Sequence, residues 1–93
     1  MYQKNIYAEK PFISFKKIMN DLGAPYNTIE LASFHSVSKG LHGQCGLRGG
    51  YMELCNFDKE ARAQILKLRS LILCPNTVGQ MMVRLSCHAR RLS

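Results

Sequence analysis

Thr28-Ile29-Glu30-Leu31-Ala32-Ser33-Phe34-His35-Ser36-Val37-Ser38-Lys39-Gly40 decides how this chain is read. Residues 28–34 are dense in β-formers, with Ile29, Leu31, Ala32 and Phe34 apolar, which predicts a mostly buried strand. The strand runs directly into small polar residues and a lysine. Gly40, Gly43, Gly46, Gly49 and Gly50 then break the chain into a loop, and Arg48 stands nine residues after Lys39. A primary amine condenses with an aldehyde to an imine, while hydroxyls and a guanidinium hold a phosphate. The set suits a phosphorylated aldehyde, and pyridoxal phosphate is the leading ligand on these residues.

Working outward, residues 51–55 read as a second short strand. Upstream, Pro11 suits a first helical turn, and Phe12, Phe15, Ile18 and Leu22 recur at three-to-four spacing. Gly23 can close that helix and Pro25 prevents its continuation, so a helix is expected over 12–22 with its apolar stripe in the core. Residues 2–7 are β-prone and read as the end of a strand. Downstream, Asp58 is a suitable N-cap with Glu60 in the first turn. Ala61, Ile65, Leu68 and Ile72 form one stripe, predicting a second helix that runs to about Leu73 and stops before Pro75. Residues 76–79 read as loop. Beyond Gln80 there is no strong period, although Met81, Met82, Val83 and Leu85 can extend a short helix. Strand end, helix, strand, glycine loop, strand, helix is a slice of an α/β sheet protein. The slice is incomplete, and its double-faced strands call for helices or partner segments on both sides.

Composition bounds the rest. Ninety-three residues with 46% hydrophobic and 20% charged content fit one globular domain or part of one. No run approaches the roughly 18 apolar residues of a membrane helix, and Met1 to Lys10 has no signal-peptide core. Cys45, Cys55, Cys74 and Cys87 form no C-x-x-C pair and read as reduced thiols. His42 with Cys45, and Cys87 with His88, match no standard zinc spacing, so no metal is expected. Thirteen basic against six acidic residues give +7, and residues 80–93 carry Arg84, Arg90 and Arg91 without an acid. Aromatics do not interleave with these cations, which argues against a nucleic-acid surface. His35 and His42 show no orienting partner in the sequence and read as structural or exposed.

Ser33-Phe34-His35-Ser36-Val37-Ser38-Lys39-Gly40, with Gly43-Gln44-Cys45-Gly46-Leu47-Arg48-Gly49-Gly50-Tyr51-Met52-Glu53, resembles the active-site segment of alanine aminotransferases. These are class I aminotransferases, pyridoxal phosphate enzymes of fold type I. The likeness spans residues 2–79, taking in Tyr2-Gln3, Asn5, Tyr7, residues 12–17 and Leu73-Cys74-Pro75. It implies a partial cofactor-binding large domain over 1–79 and a divergent basic tail over 80–93. It implies that Lys39 is the cofactor lysine and carries the substrate's proton. It implies that Ser36 and Arg48 anchor the phosphate with Ser38 nearby, and that the Tyr2 hydroxyl bonds the cofactor's phenolic oxygen. The parent reaction takes L-alanine and 2-oxoglutarate to pyruvate and L-glutamate. The family is homodimeric and works in the cytosol or the mitochondrion, with no membrane or nucleic-acid partner.

The departures shape the expectation as well. In the family that tyrosine follows an Asp-Glu-Val run whose aspartate pairs with the pyridine nitrogen; here Met1 stands directly before Tyr2. Leu41, His42 and Gln44 replace residues more often aromatic, Met and Glu. The small domain's carboxylate-binding arginine has no counterpart. The chain alone is therefore expected to turn over little or no substrate. Two alternatives stand beside this reading: a small basic protein that attracts polyanions, and a truncated gene product without function.

Overall fold

The computed structural model describes residues 5–89. Helix α1 (Phe15–Leu22) leads through a short turn at 26–28 into strand β1 (Leu31–Ser36), and a glycine-rich loop returns as strand β2 (Gly50–Cys55). Helices α2 (Lys59–Ser70) and α3 (Thr77–Ala89) complete the chain. The sheet has two strands, paired antiparallel from Leu31 opposite Cys55 to Ser36 opposite Gly50. The mix of helix and strand matches the expected α/β slice.

Local chemistry sets the boundaries. Ser14 is extended, and its Oγ accepts the Lys17 amide at 3.1 Å, so α1 starts at Phe15 and not at residue 12. Gly23 closes the helix at φ 67°, donating to the Asn20 carbonyl. Asp58 caps α2 as expected, its Oδ1 accepting from the Ala61 amide at 2.8 Å. That helix stops at Ser70, short of the expected Leu73, which sits at φ 57°. Residues 5–7, part of the anticipated strand end, are not strand; residues 2–4 lie outside the described residues.

The largest correction concerns residues 76–79. Residues 77–79 are not loop but the first turn of α3, and Asn76 stands just before it as the cap, its Oδ1 accepting the Gly79 amide at 2.7 Å. An N-cap, rather than an apolar period, begins this helix. The helix runs unbroken through Gln80.

Burial is uneven. Val37, just past β1, is fully enclosed, and Gly79 and Ser86 of α3 are also buried. The α1 stripe, expected to be core, is open: Phe15 is 79% exposed and Leu22 59%. Open clefts flank it among the described residues: an apolar one of about 210 Å³ with Tyr26, Ile29 and Leu31 on its walls, and one of about 510 Å³ between Phe12, Phe15 and β1. An ion pair between Lys16 and Glu53 of β2 ties α1 to the sheet. The bond to Glu53 and the nearby Cys55 charge raise the Lys16 pKa above its ordinary 10.5. Asn56, at φ 61°, adds a second clasp: its Nδ2 donates to the Asn27 and Ile29 carbonyls, each at 2.9 Å.

Candidate cofactor-binding site

The site residues gather at the open end of the hairpin. Ser36 is the last residue of β1, opposite Gly50. Its Oγ accepts the Ser38 amide at 3.0 Å, a serine turn that bends the chain immediately before Lys39. Val37 donates its amide to the Gly49 carbonyl at 3.1 Å and accepts from the Gln44 amide at 2.9 Å. The ladder is thereby carried one residue past the strands, and Arg48 is brought level with the Ser36-to-Lys39 turn. The register thus draws Ser36, Ser38, Lys39 and Arg48 to one end of the sheet.

Lys39 is exposed, and among the described residues its amine enters no hydrogen bond or ion pair. Arg48 adopts a left-handed conformation at φ 50°, ψ 43°, and one guanidinium nitrogen donates to the Cys45 carbonyl at 3.1 Å. The group has five N–H donors, so most remain for a ligand. Ser36 and Ser38 are half-buried. The Arg48 side chain faces a cleft that Ser36, Ser38 and Lys39 do not line. The residues share an end of the sheet but not that cavity. Tyr2, Arg90, Arg91 and Ser93 lie outside the described residues.

Two contacts were not legible in the sequence. Asn76 caps α3 and also donates through Nδ2 to the Leu47 carbonyl at 3.1 Å, fastening the helix to the loop beside Arg48. His42, read as lacking an orienting partner, lies 2.7 Å through Nε2 from the Ser86 hydroxyl. Ser86 gives its one proton to the Met82 carbonyl at 2.8 Å, so the imidazole is the donor. Asn76 before a helical run carries a capping signal. The His42–Ser86 pair, 44 residues apart, carries none. Backbone contact seals the same junction: a Cβ on Gly79 would stand 2.5 Å from the Leu47 carbonyl oxygen, and one on Gly49 2.7 Å from that of Gly79.

The four cysteines are free, and among the described residues no three His, Cys, Asp or Glu side chains gather as a metal site. No helix there is long and apolar enough to cross a membrane.

No protein-family model matches the chain. Individual relatives do. A protein of Dictyostelium discoideum named "Probable alanine aminotransferase, mitochondrial" is 54% identical over 87 residues, covering 91% of this chain. Alanine aminotransferase 1 of Bos taurus is 53% identical over 85 residues, covering 89%. The chain belongs with the alanine aminotransferases. Alanine aminotransferase 2, mitochondrial, of Arabidopsis thaliana is 49% identical over 86 residues and 91% of the chain. The chain spans only 16–17% of the length of these alanine aminotransferases. A match over about nine tenths of the chain spans its middle, where Lys39 and Arg48 stand.

Proposed function

We propose that this chain carries the lysine-bearing, phosphate-binding segment of an alanine aminotransferase of fold type I. The protein to which the segment belongs exchanges an amino group between L-alanine and 2-oxoglutarate, giving pyruvate and L-glutamate. The carrying observation is the exposed Lys39 amine, without a partner among the described residues, in the middle of a stretch about half identical to named alanine aminotransferases.

The residues suit pyridoxal phosphate. The Lys39 amine is accessible, as an aldehyde requires, and Arg48 keeps most of its donors uncommitted. When bound, the cofactor supplies the electron sink for moving an amino group. Lys39 holds the aldehyde and, once displaced by substrate, moves a proton at its Nζ. By the family likeness Ser36 and Arg48 would hold the phosphate, Arg48 through the parallel donors of its fork and with Ser38 nearby, although in the structure Arg48 lines a cleft that neither serine lines. By the same likeness Tyr2, which lies outside the described residues, is assigned to the cofactor's phenolic oxygen. The protein works as a homodimer in the cytosol or the mitochondrion.

The test mixes the full chain with pyridoxal phosphate, reduces the product with borohydride and locates it by mass spectrometry. Label at Lys39 in the wild type, lost in Lys39→Ala, is the expected result. Equal labelling of Lys39→Ala would remove the assignment.

A further inference from the structure

Arg48 does not face solvent alone. The cleft it lines, about 340 Å³, is shared with Arg69 from the last turn of α2 and Arg84 from the middle of α3, with Gln80, Gly49 and Gly50 completing the charged end. The three arginines are distant in sequence and meet only because α3 docks on the loop at 47–49. Among the described residues no carboxylate lines this cleft, and neither the Arg69 nor the Arg84 guanidinium is in an ion pair or hydrogen bond. Three permanent cations around one concavity repel each other and focus a positive potential into it. Its volume falls in the ~300–1,000 Å³ range of small-molecule sites.

We propose that this cleft is a phosphoryl-binding site in which Arg69 and Arg84 act together with Arg48. A phosphate monoester or inorganic phosphate carries close to two negative charges at neutral pH and three acceptor oxygens, enough to engage several guanidinium forks. Two sources present this group: the proposed cofactor, through its own phosphate, and a free phosphate. The inference shares Arg48 with the cofactor reading and does not depend on Lys39.

The experiment titrates the full chain with inorganic phosphate by calorimetry, with chloride balancing ionic strength. Saturable binding is expected, weakened about tenfold by Arg69→Gln and by Arg84→Gln, the effect of one charge-assisted hydrogen bond. Lys59→Gln removes the same charge from α2 outside the cleft and is expected to stay within about twofold of wild type, as a screened, distant charge should. Absence of saturable binding by the wild type, or equal weakening by Lys59→Gln, overturns the proposal. The calorimetric readout is phosphate affinity and not imine formation at Lys39, which does not line the cleft, so the cleft and the cofactor reading fail separately. A comparison of labelling by pyridoxal phosphate and by phosphate-free pyridoxal then identifies the source. An advantage of pyridoxal phosphate that disappears in Arg69→Gln and Arg84→Gln assigns the cleft to the cofactor. An advantage that survives in both assigns it to a separate phosphate.

Discussion

The two ends of the hairpin are finished differently. At the loop end, Val37 is enclosed, its amide and carbonyl are both paired, and α3 is fastened by Asn76, by His42 with Ser86 and by the Gly49–Gly79 approach. At the other end, α1 presents Phe15, Ile18 and Leu22 outward over an open apolar cleft, tied down by one ion pair and the Asn56 clasp. The end that carries Lys39 and Arg48 holds itself in place with polar and backbone contacts made within the chain. The α1 end is an apolar surface without a cover among the described residues. A cofactor site needs the first kind of construction, because its binding groups must keep their geometry before the ligand arrives.

Substitutions ordered by expected effect sharpen that contrast. Gly79→Ala ranks first. In an ordinary helix it would stabilise by about 0.5–1 kcal/mol. Here the new methyl meets a backbone carbonyl at 2.5 Å, so the sign reverses. A loss of about 1–3 kcal/mol is expected, read from urea midpoints. An unchanged midpoint would break the claim that α3 is seated on the loop. Asn76→Ala comes next, at about 1 kcal/mol for the lost cap. Faster hydrogen exchange is expected at the Gly79 amide, which Asn76 caps. Phe15→Ser, on the exposed stripe, is expected to stay within about 0.5 kcal/mol. A larger loss would mean that the α1 end is covered after all.

The smallest effect is the pH response of the Lys16–Glu53 tie. The Lys16 pKa is raised in the folded chain, so its contribution is fully present below the ordinary value of 10.5 and disappears as pH rises through the folded value. Both partners are solvent-exposed, so only a small fall in the urea midpoint is expected in strongly alkaline solution. In Glu53→Gln that fall should shrink, since only the Cys55 contribution to the raised Lys16 pKa remains.

What could be read without coordinates was local. The Asp58 cap, the strand before Ser36, the return strand before Cys55 and the closure of α1 at Gly23 each depend on a few neighbouring residues. Capping geometry and β-propensity make such features legible. The grouping of Lys39 with the serine turn, the glycines and Arg48 was legible for a different reason, since Ser36 to Gly50 span only 15 residues. The helix over 77–89 was not read as one element, because its apolar residues have no strong period to support the capping signal at Asn76. The α1 stripe was legible as a stripe, but periodicity reports which face is apolar and not whether anything covers it.

The sequence alone therefore determined the lysine, its serine turn and the arginine that follows, since the chemistry of a site depends on residue type and close spacing. Only the tertiary structure decided that β1 and β2 pair antiparallel, drawing that turn level with Arg48. It alone set His42 against Ser86, and Arg69 and Arg84 around the Arg48 cleft. Those meetings join residues tens of positions apart through the docking of α3. Side-chain and backbone contacts between distant segments, rather than any local pattern, fix where such a helix comes to rest.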